Sequence, residues 1–263
     1  MTKKKWLIVF LLITATCLHA HVDKIDTDRP DQTESAFTVP AGWLQGELGL
    51  VKERTFNSPP FILNSWTLPT LLTRFGLSTR FELRIITEYE RRGNNKRFYK
   101  DTIGFLAPYI GFKFNLVKAK GIIPQISLIS HVGLNRLGSK YTNSHGSFFA
   151  PNFRFTLQNS ITENFAIGYN FGAEWDDTHE PPAWLYTFAP GMNLGEKWYA
   201  YIEAFGFFRK NEPAEHNVDA GIAYYMNDNI KVDASAGIGI SKAAPDNYVS
   251  VGFSFRFKTI KNK

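Results

Sequence analysis

Apolar and polar residues alternate with a period of two through most of the chain. The run from Val232 to Ile240, for example, has Val, Ala and Ile at every second position and Asp, Ser and Gly between them. Successive side chains of a β-strand point to opposite faces, so this alternation predicts strands with one apolar and one polar face. No window after the N-terminal segment keeps apolar residues at helical spacing for three turns, so we predict no amphipathic helix there.

Strand length and charge separate the classes of β-protein. The alternating segments are about 10 to 13 residues long, which is long for a soluble sandwich and fits a tilted bilayer crossing. Charged side chains such as Glu82 and Arg84 recur in the middle of the polar faces, as in the lumen of a membrane barrel whose apolar faces contact lipid. We therefore predict an all-β, antiparallel transmembrane β-barrel of about 12 strands, with a soluble lipocalin-like barrel as the alternative fold. The predicted strands are 43–54, 63–76, 80–91, 102–116, 121–134, 148–158, 164–175, 183–194, 197–209, 215–226, 229–241 and 247–257.

The connections between these strands alternate in length. Short turns such as 77–79, 195–196 and 227–228 follow even-numbered strands, whereas longer polar segments such as 55–62 and 135–146 follow most odd-numbered ones. Outer-membrane barrels have short periplasmic turns and longer extracellular loops. With an even number of strands, both chain ends are expected on the periplasmic side.

The first twenty residues have the three-part layout of a secretory signal peptide. Lysines at positions 3–5 precede a short apolar run, and Ala20 offers a small residue before the cleavage site. Cys17 raises a lipoprotein alternative, but Thr16 stands before it where a lipobox has Gly, Ala or Ser, so we favour cleavage after Ala20. The predicted divisions are a signal peptide over 1–20, an N-terminal periplasmic or plug segment over 21–42, a transmembrane β-barrel over 43–257 and a basic C-terminal tail over 258–263.

Several functional classes are excluded. Loss of the leader removes three of the 30 basic residues and none of the 24 acidic ones, and no basic stripe remains for a nucleic acid. A single cysteine and scattered histidines without ligand spacing predict no metal site and no cofactor. Residues 143–147, Asn-Ser-His-Gly-Ser, contain the residue types of an outer-membrane phospholipase. They lie in a predicted external loop and lack that enzyme's ordered strand motif, so we predict no catalytic site.

A motif near the N-terminus indicates a family. Residues 27–35 are Thr-Asp-Arg-Pro-Asp-Gln-Thr-Glu-Ser, and residues 39–42 are a Val-Pro-Ala-Gly turn before the first strand. Together with the segments 74–78 and 82–84, this pattern resembles the outer-membrane "transporter" family named for the meta-pathway of phenol degradation. The resemblance covers the whole mature chain. It implies a Gram-negative outer-membrane barrel, associated in some members with aromatic catabolism.

This N-terminal motif is acidic and does not look catalytic. Its charged residues are Asp26, Asp28, Arg29, Asp31 and Glu34. We hypothesise that residues 21–42 fold against or into the periplasmic mouth as a plug, where the carboxylates meet lumenal arginines. The arginines considered for this role are Arg74, Arg84 and Arg256. The alternative is a loose periplasmic strap.

The polar strand faces are expected to line the lumen. The charged residues predicted there are Glu47, Arg74, Glu82, Arg84, Glu88, Lys113, Arg154, Glu203 and Arg256, and the aromatic ones are Phe105, Tyr109, Tyr199 and Tyr201. Acidic and basic groups nearly balance, so they are expected to pair in a narrow barrel. Such pairs either hold the barrel together or select among solutes, and the aromatic rings either line a path or fill space.

The sequence thus predicts a porin-like outer-membrane channel or transporter-like barrel for a small solute, hydrophobic or aromatic in character. The alternatives are a non-transporting structural or adhesive barrel and, less favoured, a lipid-active enzyme. The expected partners are outer-membrane lipid and lipopolysaccharide, the barrel-assembly machinery and a small-molecule solute.

Overall fold

The computed structural model describes residues 24–56, 62–94, 101–139, 149–175 and 181–259. The predicted signal peptide, its cleavage site, the segment 143–147 and residues 260–263 lie outside these ranges. Within them, no helix is both long and apolar enough to cross a membrane.

Most of the described residues belong to β-strands. The strands are β1 (Trp43–Phe56), β2 (Ile62–Gly76), β3 (Phe81–Asn94), β4 (Thr102–Phe105), β5 (Tyr109–Val117), β6 (Gln125–Leu134), β7 (Phe149–Ser160), β8 (Phe165–Glu174), β9 (Ala183–Leu194), β10 (Trp198–Phe208), β11 (Glu215–Asn227), β12 (Ile230–Gly239) and β13 (Asn247–Lys258). One turn of 3-10 helix, Asn135–Leu137, follows β6.

The strands form one antiparallel sheet that closes on itself. From β5 onward each strand pairs with the next, and β13 pairs with β1 from Trp43 opposite Lys258 to Arg54 opposite Asn247. The short β4 and β5 both pair with β3, one after the other along its length, and together they occupy one strand position of the barrel. The predicted closed antiparallel barrel of twelve strands is therefore confirmed, when β4 and β5 are counted as one strand. Closure leaves no unpaired sheet edge in contact with lipid.

A β-bulge interrupts the predicted strand over 102–116. Phe105 lies opposite Tyr89 and Tyr109 opposite Ile86, so residues 106–108 face only two residues of β3. The extra residue inverts the alternation of faces on one side of the bulge. Phe105 therefore shares the outward face of its partner and is 60% exposed, so its predicted place in the lumen is wrong.

The predicted strand over 121–134 begins later than expected. Lys120 and Ile123 exchange backbone hydrogen bonds of 3.0 and 3.1 Å, and Gly121 has a φ of 59°. That left-handed conformation suits glycine, which has no Cβ to clash with the backbone. A tight turn therefore occupies these residues, and β6 starts at Gln125.

The outer face of the barrel is apolar and the inner face is polar. In β10, Ile202 is 64% exposed, whereas its neighbours Tyr201 and Glu203 are almost fully buried. Phe171 and Ile238 point outward in the same way from β8 and β12. So extensive an apolar surface is stable against lipid and not against water. The chain is therefore an outer-membrane β-barrel and not a soluble lipocalin-like one.

The two rims of the barrel differ in the length of their connections. Gly195–Lys197 and Asp228–Asn229 join strands at one rim, whereas the joints from β1 to β2 and from β6 to β7 at the other rim are longer. Short turns are periplasmic in outer-membrane barrels. We call the two rims the periplasmic rim and the outer rim. Both β1 and β13 have their terminal ends at the periplasmic rim.

Candidate functional site

The N-terminal segment, residues 24–42, lies inside the ring of strands. It enters at the periplasmic rim, where the Ile25 N–H donates to Asp228 O at 2.8 Å. It leaves at the same rim, where the Val39 N–H donates to a Glu82 carboxylate oxygen at 2.6 Å. Between these points Ile25, Ala36 and Val39 are at most 2% exposed. The segment is thus a loop packed within the lumen.

One end of this loop is bound to a cluster of cations on β2, β3 and β5. Asp28 Oδ2 accepts from Arg84 at 2.6 Å, and Asp28 Oδ1 accepts from Lys113 Nζ at 2.9 Å. Arg74 lies 3.4 Å from the same carboxylate. All three cationic side chains are at most 1% exposed. Asp28 therefore neutralises charge that the barrel wall buries.

The wall around Asp28 supplies its own carboxylates. Arg74 donates to Glu82 at 2.8 Å and to Glu47 at 3.0 Å, and it also donates to the Phe37 carbonyl at 2.9 Å. Glu47 in turn accepts from the Asp28 N–H at 2.9 Å. Buried charges are tolerated when they are paired and hydrogen-bonded in this way. The network joins the wall and the segment into one structure.

Glu34 links the segment to a second part of the wall. Its carboxylate lies 2.6 Å from Arg84 and 3.4 Å from Arg154. Arg154 also donates to the Gln32 carbonyl at 2.8 Å and pairs with Glu174 at 3.1 Å. Residues 32–34 are therefore held from β3, β7 and β8.

The opposite wall holds the segment through two carboxylates and a hydroxyl group. Glu203 accepts from the Gln32 N–H at 2.8 Å and from the Thr33 hydroxyl at 2.5 Å. Arg29 donates to Ser250 at 2.7 Å and pairs with Asp233 at 3.3 Å. These bonds fix residues 29–33 against β10, β12 and β13.

Two glycines make room for Arg29. Gly49 and Gly252 lie opposite each other on β1 and β13. A Cβ on Gly49 would lie 2.2 Å from an Arg29 terminal nitrogen, and a Cβ on Gly252 would lie 2.4 Å from Arg29 Nε. Any other residue at either position would displace the guanidinium. The sequence analysis did not identify this glycine slot, although both positions lie on predicted inward faces.

The acidic residues of the segment differ in their ionisation. Burial raises the pKa of Asp31 well above its ordinary value, and the nearby Glu203 raises it further. Burial acts in the same direction on Asp28, but the positive charges of Arg74 and Lys113 outweigh it, and its pKa lies well below the ordinary value. The surrounding cations therefore stabilise the anionic form of Asp28, whereas burial shifts Asp31 towards its protonated form.

Two cavities lie on either side of the segment. The outer one has a volume of about 900 Å³ and extends from residues 28–34 to the outer rim, and the inner one, of about 240 Å³, opens among the periplasmic turns. Arg29, Asp31 and Glu34 line both cavities. These three residues therefore lie between the two cavities.

The structure brings most of the predicted site residues together. Asp28, Arg29, Glu34, Glu47, Arg74, Glu82, Arg84, Lys113, Arg154 and Glu203 contact one another through the N-terminal segment. Asp26 accepts a hydrogen bond of 2.5 Å from Ser35, within the segment. Glu88 lines the outer cavity and lies apart from the network. Among the described residues, Arg256 donates to Asn229 at 3.0 Å and to the Asp228 carbonyl at 3.1 Å, in the turn at the periplasmic rim.

Comparison with known proteins identifies the family. The family described as "Putative MetA-pathway of phenol degradation" matches residues 27–257. The chain belongs to that family. None of the curated proteins compared with it is a match in sequence.

Solved structures of outer-membrane proteins are similar to this member of the family in fold. The COG4313 outer membrane channel from Pseudomonas putida F1 superposes with a TM-score of 0.70 at 12% identity, over 85% of this chain and 98% of the other. The KdgM porin in complex with oligogalacturonate gives a TM-score of 0.51 at 9% identity, over 82% and 99% of the two chains. The NanC porin gives 0.50 at 8% identity, over 81% and 98%. The family member therefore has the fold of outer-membrane channels and porins.

Proposed function

We propose that this barrel is a channel for a small solute and that the N-terminal segment is a plug that limits passage. The observation that supports the proposal is the pair of cavities on the two sides of the segment, both of which are lined by Arg29, Asp31 and Glu34. We would expect a barrel with a purely structural role to be filled by its own side chains. This barrel instead contains a cavity of about 900 Å³ that extends to the segment.

The family description favours an aromatic solute. It links the family to phenol degradation, and the lumen offers aromatic side chains beside both cavities. Tyr109 and Phe205 line the outer cavity, and Tyr199 and Tyr225 line the inner one. We therefore propose a phenol-sized aromatic molecule as the solute, with the barrel acting as a channel and not as an enzyme.

Deletion of residues 24–38 tests the proposal. In planar bilayers, the full mature chain is expected to show a small conductance and the deletion variant a conductance at least several-fold larger. In liposome-swelling assays, phenol-sized solutes should enter faster through the variant. Heat-modifiable migration on gels verifies that the deleted barrel is folded. Equal conductance of the two folded proteins would contradict the role of the segment as a plug, and no conductance from either would contradict the channel.

A further inference from the structure

The charged side chains around the outer cavity are mostly acidic. Among the described residues, the carboxylates that line it are Asp28, Asp31, Glu34, Glu47, Glu53, Glu88, Glu90, Glu174 and Glu215, and the arginines are Arg29, Arg84, Arg92 and Arg154. A simple excess of acid decides little, because many of these groups neutralise each other. The field inside the cavity depends on which charges are left without a partner.

Every arginine in this lining is paired. The pairs are Arg29 with Asp233 at 3.3 Å, Arg84 with Asp28 at 2.6 Å, Arg92 with Glu90 at 3.1 Å and Arg154 with Glu174 at 3.1 Å. Glu34 and Glu47 are also paired, with Arg84 and Arg74. Within the described part of the chain, the lining therefore presents no free positive charge to a solute.

Besides Asp31, whose pKa burial raises, three carboxylates in the same lining form no ion pair with a described residue. Glu53 accepts only a hydrogen bond of 3.3 Å from the Thr55 hydroxyl, and Glu88 and Glu215 make no ion pair. Their heights in the barrel differ. Glu88 lies opposite Thr70, which lies opposite Gly49, so it is in the middle part of its strand. Glu215 begins β11 at the outer rim, and negative charge therefore extends along the cavity.

The inner cavity is closer to neutral. Its acidic lining residues are Asp26, Asp31, Glu34 and Glu163, against Arg29 and Lys231. Since Arg29 is already paired with Asp233, Lys231 is the remaining cation in this described lining. Glu34 is paired with Arg84 and burial raises the pKa of Asp31, so Asp26 and Glu163 remain against Lys231. The unpaired negative charge that a solute meets therefore lies mainly in the outer cavity.

We propose that this passage admits cationic and neutral solutes and excludes anionic ones, with Glu53, Glu88 and Glu215 as the residues that determine the selection. The proposal rests on the channel function proposed above and deepens it. Acidic side chains in a confined, low-dielectric passage raise the local concentration of cations and repel anions. The aromatic solute is then an amine or an alcohol, and the corresponding aromatic carboxylate is excluded.

Reversal potentials in planar bilayers test this selectivity. With the full mature chain at pH 8 in a potassium chloride gradient of low ionic strength, we expect a potassium-to-chloride permeability ratio of about 10. Benzylammonium should permeate and benzoate, of the same size, should not. The ratio should decrease at molar salt, where the screening length is about 3 Å. The variant Glu53→Gln/Glu88→Gln/Glu215→Gln should lower the ratio at least threefold at unchanged heat-modifiable folding, and each single Gln variant should lower it in part.

A matched control distinguishes lumen charge from total charge. Glu196 is exposed in the turn between β9 and β10 and lines neither cavity. Glu196→Gln should leave the permeability ratio unchanged. Two results would overturn the proposed selectivity: conductance without a preference for cations, or a triple variant with the same permeability ratio as the parent. Neither result would contradict the proposal that the barrel is a channel. Absence of conductance from both the parent and the variant lacking residues 24–38 would overturn the channel itself.

Discussion

Asp28 is the carboxylate on which the seating of the N-terminal segment most depends. Replacing it by Asn keeps the shape and removes the charge that faces Arg84 at 2.6 Å, Lys113 at 2.9 Å and Arg74 at 3.4 Å. Removal of one partner from a buried ion pair costs about 3–5 kcal/mol, because the other charge is left uncompensated. At about 1.4 kcal/mol per factor of ten, the released form of the segment should become about 100- to 4,000-fold more populated.

Thiol labelling measures this population. The chain has one cysteine, Cys17, so a background with Cys17→Ser and Ala36→Cys carries a single probe in the segment. Ala36 is 1% exposed, and a water-soluble thiol reagent should reach the probe only when the segment leaves its site. If the segment returns faster than it is labelled, the labelling rate follows the released population. Asp28→Asn should then accelerate labelling about 100- to 4,000-fold.

An exposed ion pair provides the control. Asp101 lies 2.7 Å from Arg91, and both side chains are at least 40% exposed. Such pairs contribute about 0–1 kcal/mol, so Asp101→Asn should change the labelling rate by less than about fivefold. A rate for Asp28→Asn that is within the same fivefold range would refute the reasoning, because the buried cations would then not depend on the segment for neutralisation.

Three further predictions concern the segment and the lipid face. The pKa of Asp31 is raised in the lumen, so ionisation of Asp31 weakens the binding of the segment in its site. The rate of thiol labelling, corrected for ionisation of the thiol, should therefore increase as the pH rises through that pKa in the parent protein. In Asp31→Asn the corrected rate should not change with pH. Gly49→Val should displace Arg29 and break its charged hydrogen bonds, which contribute about 1.5–3 kcal/mol. The labelling rate should therefore increase at least tenfold, in a barrel that still migrates as folded. An unchanged rate would contradict the role of Gly49 in making room for Arg29. Ile202→Arg, in the middle of β10, should lower the free energy of unfolding from liposomes in urea by about 2–4 kcal/mol, whereas Ile240→Arg at the rim should cost about 0–1 kcal/mol; equal costs would contradict the assigned depth.

The alternation of residues was sufficient to predict the barrel and the faces of most strands. It predicted Glu82, Arg84 and Lys113 on the polar face because inward and outward positions follow directly from a period of two. It was wrong for Phe105, because a bulge adds one residue at 106–108 and shifts the period. Pro108, which cannot donate a hydrogen bond to the neighbouring strand, marks this irregularity in the sequence but does not give its size. A pattern within one strand contains no information about the number of residues opposite it.

Contacts inside the lumen were less predictable than strand faces. The sequence analysis named Arg74, Arg84 and Arg256 as partners of the acidic segment, and the described carboxylates Asp28 and Glu34 contact the first two. Which carboxylate meets which arginine depends on height along the barrel, which charge alone does not give; Arg256 lies at the rim beside Asn229. The glycine slot was missed for a related reason, because the pairing of Gly49 with Gly252 depends on the register between the first and last strands.

The position of that slot has a consequence for biogenesis. Gly49 and Gly252 lie on β1 and β13, the strands whose pairing completes the ring, and Arg29 bonds to Ser250 on β13. The docking place of the arginine does not exist until the two chain ends have met. We therefore expect an order of events during insertion into the membrane, in which the ring first closes around an empty interior and the N-terminal segment docks afterwards. In that order Arg29 enters its place between Gly49 and Gly252 only after the first and last strands have paired, and it then bonds to β12 and β13.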